Sequence, residues 1–151
     1  MHAFILENSG KIDPILSELR LITASQGFSP EFRYWILLCA CFNLSKEHNI
    51  VKTWKTYEKA FINLVQQDGK IGIKHLLQSI ILYFQRRHTE QTKFVATFMK
   101  LLVCDQNVFS EEFIINFYHK KSKLDKSCAL YDRKLEKAFR GNIESFVKWL
   151  E

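Results

Sequence analysis

The sequence predicts an all-α fold of about eight helices in antiparallel pairs, a HEAT-like or armadillo-type helical repeat domain. Three observations carry that expectation. Apolar residues recur at helical spacing almost throughout, and strand-like alternation is nearly absent. Only two prolines and five glycines occur in 151 residues, and the glycines fall between apolar runs. Hydrophobic residues make up 47% and charged residues 25%, the balance of a globular chain with its own core. Thirteen phenylalanines make that core aromatic.

The elements follow in order. Asp13-Pro14 and Ser29-Pro30 each set an N-cap residue before a proline, which favours a helix start. The first predicted helix, residues 14–24, puts Ile15, Leu16, Leu19 and Ile22 on one side. The second runs from Pro30 to near Leu44 through Phe32, Trp35, Ile36, Leu38 and Cys39. A third begins after Ser45. Its apolar face is Ile50, Trp54, Tyr57, Phe61 and Leu64, with Lys52, Lys55 and Lys59 facing elsewhere. Asp68-Gly69 ends it. Residues 71–87 form a nearly all-round apolar helix through Ile73, Leu76, Leu77, Ile80, Ile81 and Phe84, expected at the centre of the core. Thr89 caps the next helix, which carries Phe94, Val95, Phe98, Met99 and Leu102. Ser110 caps another, whose first turn holds Glu111 and Glu112, where the helix dipole favours carboxylates.

Residues 120–126 read as a basic loop, and residues 130–139 and 142–150 as two final helices broken at Gly141. Residues 1–28 are expected to be an N-terminal helical segment and 29–151 the HEAT-like core, within one structural domain cut from a longer protein. No sequence unit repeats at a fixed period, so the repeat array rests on helix count, and a compact non-repeating bundle is the alternative.

Catalytic signatures are missing from the sequence. There is no GxxxxGK[ST] phosphate loop, GxSxG elbow, HExxH pair or glycine-rich dinucleotide turn. His2, His48, His75, His88 and His119 are scattered, and His75 reads as a satisfied core or boundary residue. Cys39, Cys41, Cys104 and Cys128 lack metal-ligand spacing and read as small apolar groups. The expectation is a non-enzyme with no metal and no cofactor. No apolar run approaches the roughly 20 residues of a membrane span. The start lacks a charged leader followed by a long apolar stretch, so a cytoplasmic location and no membrane partner are expected.

Charge offers one candidate surface. The net charge is +6 and the pI about 9.2. Lys120, Lys121, Lys123, Lys126, Arg133, Lys134, Lys137 and Arg140 are placed to make a continuous basic surface, suited to neutralising RNA phosphates. Asp125, Asp132 and Glu136 interrupt it, as a merely solvated face would be interrupted. No aromatic-interleaved motif points to base recognition.

The other candidate is a pair of acidic–aromatic boxes at 105–118 and 144–151. The first contains Val108-Phe109-Ser110-Glu111-Glu112-Phe113-Ile114-Ile115-Asn116-Phe117-Tyr118, and the second is Glu144-Ser145-Phe146-Val147-Lys148-Trp149-Leu150-Glu151. With His75-Leu76-Leu77-Gln78-Ser79-Ile80-Ile81 and Lys100-Leu101-Leu102-Val103-Cys104-Asp105, they occur in the order and spacing of a known domain. From about Leu37 onward the chain resembles the C-terminal two-tryptophan domain of eukaryotic translation initiation factor 5. Related domains end the epsilon subunit of initiation factor 2B, initiation factor 4G and the factor-5 mimic proteins.

The resemblance implies a HEAT-type fold and a scaffold that joins the beta subunit of initiation factor 2, the c subunit of initiation factor 3 and initiation factor 1. It also implies that any GTPase-activating domain lies outside this chain. By position, Asp105, Glu111, Glu112, Glu144 and Glu151 are the acids expected to receive lysine-rich partner segments. Phe117 and Trp149 are the box aromatics expected to support them from the core. Phe117 stands where the family has its first tryptophan. Counted from Lys100, eight acids face ten bases, so the expected acidic rim is small and local.

Overall fold

The computed structural model describes residues 11–42, 50–87 and 89–151, the side chains at 50, 87 and 89–91 excepted. Among the described residues it contains seven α-helices and no strand. The first four are α1 (Ile12–Gln26), α2 (Phe32–Phe42), α3 (Ile50–Asp68) and α4 (Lys70–Leu82). A π-helical turn at Tyr83–Arg87 and a 3-10 segment at Thr89–Phe94 lead to α5 (Val95–Lys100). A second π-helical turn, Leu101–Asp105, precedes α6 (Glu111–Tyr118) and α7 (Arg133–Leu150).

Helix α4 organises the packing. It touches α2, α3 and α7, so the early and late parts of the chain meet along it. Its sequence explains why. Leu76, Leu77, Ile80 and Ile81 are all buried, and so are the polar His75, Gln78 and Ser79 between them. Each of the three residues makes a bond that offsets its burial, while Gln78 Oε1 has no partner among the described residues. Ser79 donates to the His75 carbonyl at 3.0 Å, Gln78 Nε2 donates to the Asp125 carbonyl at 2.9 Å, and His75 Nε2 lies 3.0 Å from Asp125 Oδ2.

Beside α4, aromatic rings from four segments interlock. Trp54 stacks on Phe61 with centroids 4.9 Å apart, and Phe98 meets Trp54, Phe42 and Phe84 at 5.7, 5.8 and 5.8 Å. Such pairs add about 0.5–1.5 kcal/mol each beyond the burial of their area. One continuous core runs from Ile15, Leu16 and Leu19 in α1 to Phe146 and Val147 in α7. Helix α1 therefore packs into the same core as the later helices.

A single residue separates α3 from α4. Gly69 takes φ 71°, a left-handed value that suits glycine, and Asp68 beside it ties the corner to α2. Asp68 accepts a hydrogen bond from Tyr34 at 2.7 Å and pairs with Arg33. Burial pushes the Asp68 carboxyl up, but the Arg33 and Tyr34 hydrogen bonds more than offset it and hold the group below its ordinary range.

Several sequence expectations are corrected. The two final helices are one. Residues 133–150 run unbroken through Gly141, which is exposed; a lone glycine costs a helix only about 1 kcal/mol. The packed face of Phe139, Ile143, Phe146 and Val147 outweighs that. Helix α1 starts at Ile12, so Asp13 lies in its first turn rather than at the N-cap. Pro14 stays tolerable there, because first-turn N–H groups have no intrahelical partner. Ser29 and Pro30 form a turn whose carbonyls accept from Phe32 and Arg33, and α2 begins two residues beyond Pro30. The apolar helix expected over 71–87 leaves α-geometry after Leu82. Thr89 opens a 3-10 segment, with its side chain outside the described residues. The expected end near Leu44 and start after Ser45 also lie outside them.

Candidate interaction surfaces at the C-terminal end

The first box is built as its residue types dictate. Ser110, in extended backbone, caps α6 by accepting the Phe113 N–H at 3.0 Å. Glu111 and Glu112 occupy the first turn and are exposed, and Asp105 is exposed at the end of the second π-helical turn. Phe117 is fully buried against Phe139 at 6.3 Å. The second box departs from expectation. Trp149 is 64% exposed, so it is a surface group and not a core support. Val147 takes the buried position of that turn, and Trp149 points off the packed stripe of α7. Phe146 stacks beside it at 6.2 Å, and Lys100 Nζ lies 5.0 Å from its ring centre. Ala96, Lys100, Phe146 and Trp149 line a shallow cleft of about 240 Å³ between α5 and α7.

The five expected acids are not drawn into one cluster. Glu144 pairs with Lys148 at 3.0 Å, and that hydrogen bond and charge hold its carboxyl below the ordinary range. Glu151 pairs with His119. Glu112 shares a cleft of about 610 Å³ with Lys70, Lys74 and Lys123. Glu111 and Glu112 begin α6, whereas Glu144 and Glu151 meet Tyr118 and His119 at its end. Eight residues of helix, about 12 Å, separate the two groups.

The basic residues behave differently. Seven of the eight expected cations, all but Lys121, line one cavity of about 680 Å³. One wall is α7, where Arg133, Lys134, Glu136, Lys137 and Arg140 fall on one face at spacings of three, four and seven. The other wall is the segment between α6 and α7, which contributes Lys120, Lys123, Lys126 and Tyr131. Residues 120–140 hold eight bases against three acids, an excess of five, where the whole chain has an excess of six. Nearly all of the net charge is concentrated here.

That second wall is irregular but fixed. Leu124, Cys128 and Leu130 are buried, the last two beside Leu82. Asp125 bonds His75 and the Ser127 hydroxyl through its side chain and Gln78 through its carbonyl. The His75 bond, followed by the Ser127 hydroxyl, depresses the Asp125 carboxyl below its usual range. Asp132 caps α7 by accepting the Leu135 N–H at 3.1 Å. So two of the three acids in this stretch hold the basic wall in place and do not line the cavity.

Glu136 is the exception. It lines the cavity, is only 6% exposed, and its Oε1 accepts no hydrogen bond from any described residue. Its other oxygen lies 3.7 Å from Arg140 Nη2, an ion pair longer than a hydrogen bond. Arg140 is engaged elsewhere. Its Nε donates to the Phe117 carbonyl at 3.1 Å, and its guanidinium lies 4.4 Å over the Phe117 ring. Burial pushes the Glu136 carboxyl up, Arg140 and Lys126 pull it back, and Asp132 adds to the rise. In the sequence Glu136 reads as a mere interruption of the basic run. Its position on the cavity face of α7 was available from helical spacing, but its missing partner was not.

No protein-family model, curated protein or solved structure matches the chain. Among the described residues no three His, Cys, Asp or Glu side chains are grouped to hold a metal ion. No described helix is long and apolar enough to cross a membrane.

Proposed function

We propose that this chain is a protein-interaction scaffold of translation initiation, a HEAT-type domain that receives lysine-rich segments of partner factors. The partners are the beta subunit of initiation factor 2, with the c subunit of initiation factor 3 and initiation factor 1, acting in the cytoplasm. The reading rests on the box resemblance, and the observation that supports it best is the exposure of Trp149 beside exposed carboxylates. Carboxylates attract a cationic disordered segment at long range, and an exposed aromatic supplies contact area once it docks. Because Glu144 is already paired with Lys148 and Glu151 is hydrogen-bonded to His119, an incoming lysine must displace one of those partners. Binding is then modest and strongly salt-dependent.

The test is titration with a lysine-rich peptide from the initiation factor 2 beta subunit. Reversing Glu111, Glu112 and Glu144 to lysine is expected to weaken it by roughly tenfold or more, the order of one rim charge pair each. Unchanged affinity sinks the assignment.

A second reading is RNA binding, favoured by the seven cations around one cavity. None of the five box acids lines that cavity, although Glu112 lines the cleft that adjoins it at Ser122 and Lys123. Its signature is affinity for single-stranded RNA that falls steeply with salt, with a log–log slope of about 0.7 per phosphate neutralised.

A further inference from the structure

Six cations around the basic cavity make no ion pair. Lys120, Lys123, Lys126, Arg133, Lys134 and Lys137 are exposed, and among the described residues none of them pairs with a carboxylate. Elsewhere Arg33 is paired with Asp68 and Lys148 with Glu144. The six also face one another. Arg133, Lys134 and Lys137 stand on α7, and Lys120, Lys123 and Lys126 on the opposite wall. Like charges fixed on facing walls repel, and folding carries that cost until an anion enters. The Asp132 cap and the Asp125 contacts hold the two walls, so the cations converge before a ligand arrives. Glu136, the one acid of the lining, has its Oε1 closed off from solvent, so that oxygen offers a ligand no contact.

The shape of the cavity selects among polyanions. Its volume of about 680 Å³ falls in the range of small-molecule pockets, about 300–1,000 Å³. An RNA strand carries one phosphate per nucleotide, so ribose and base would fill most of that space. Tyr131 alone among the lining residues offers an aromatic ring for a base to stack on. A membrane headgroup fits less well too. The exposed large apolar residues, Leu21, Phe28, Ile71 and Trp149, all lie outside the lining, so no apolar rim is there to enter a bilayer. A small molecule with several phosphates meets both walls at once and places all of its charge inside.

We propose that the cavity binds a compact, soluble polyphosphate, with several phosphates on one small ring or chain, held between Lys134 and Lys137 of α7 and Lys123 and Lys126 of the facing segment. The inference goes beyond the RNA reading and does not rest on it.

The experiment titrates the whole chain with inositol hexakisphosphate by calorimetry at about 0.15 M salt. Two further arms use oligo-uridine of equal formal charge and vesicles containing phosphatidylinositol bisphosphate. The hexakisphosphate is expected to bind at least about tenfold more tightly than either. Lys134→Glu, Lys137→Glu and Lys123→Glu, Lys126→Glu should each weaken it by roughly tenfold or more, since both walls contribute. Lys55→Glu, Lys59→Glu makes the same change in net charge on the exposed side of α3 and should leave affinity within about twofold.

Oligo-uridine binding as tightly as the hexakisphosphate overturns the compact-ligand assignment and leaves the RNA reading standing. Vesicles binding as tightly also overturn it, in favour of a membrane headgroup. Equal losses in all three double variants overturn both the proposal and the RNA reading, since attraction would then follow total charge and not this cavity. No binding of the hexakisphosphate overturns the proposal, and the oligo-uridine arm then decides the RNA reading by itself.

Discussion

Helix α7 carries two different kinds of surface. Its first two turns present Arg133, Lys134, Lys137 and Arg140 to a cavity whose opposite wall is also basic. Its last two turns present Glu144, Lys148, Trp149 and Glu151 on open surface, with the acids already paired to Lys148 and His119. The difference lies in what faces each stretch. Like charges held on two fixed walls cannot neutralise one another and sum to a strong local field. Alternating charges on a free helix face pair off in water, where each pair is worth at most about 1 kcal/mol.

The sharpest way to break the comparison is through the aromatics beneath each surface. Phe117→Ala should cost about 3–5 kcal/mol of folding free energy in urea unfolding, since the ring is fully buried and supports Arg140 at the cavity edge. Trp149→Ala should change stability by no more than about 0.5 kcal/mol, because the ring is largely in solvent. Equal effects would mean that the two box aromatics play the same structural role.

A smaller effect tests whether the basic wall is pinned. Asp125→Asn weakens the His75 bond and should cost about 1 kcal/mol at neutral pH, a figure reduced for the partial exposure of the pair. The sign in pH follows from the depressed carboxyl. In acid the unfolded chain binds this proton more readily than the folded one, so the stabilisation is complete above the ordinary aspartate pKa, about 3.9. It is lost as pH falls through the lower folded value. The variant should therefore show a shallower acid-side decline in melting temperature than the wild type. An unchanged decline would place the pinning elsewhere, in the buried Leu124, Cys128 and Leu130.

The smallest effect concerns the joint between the two halves of α7. Gly141 separates them, and a Cβ built there meets nothing within 4 Å. Gly141→Ala should stabilise the chain by roughly 0.5–1 kcal/mol, through helix propensity and a less flexible unfolded state. RNA and peptide affinities should stay unchanged. A change in both would mean that α7 bends at this point during binding.

Much of the site could be read along the chain. The Ser110 cap and the exposed Glu111 and Glu112 follow from local rules, since they depend only on neighbours within a turn. The basic residues of 120–140 were equally legible as residue types. The single α7 was not. Gly141 is a helix breaker by local preference, and only the packing of Phe139, Ile143, Phe146 and Val147 overrides it. The exposure of Trp149 was missed for a related reason: an aromatic at helical spacing reads as core until the neighbouring Val147 is seen to fill that place.

The sequence by itself determined the all-α class, the aromatic core and where the charged residues lie along the chain, because period, caps and composition act over a few residues. Only the tertiary structure decided what those charges face. The bonds from His75 and Gln78 to Asp125 span 50 and 47 residues, and through them α4 holds the basic segment opposite α7. Electrostatic energy depends on distance in space and on what shields it. Residues spread over twenty positions therefore form one concentrated site, while the acids of the more conspicuous boxes stay dispersed, with Glu144 paired to Lys148 and Glu151 bonded to His119.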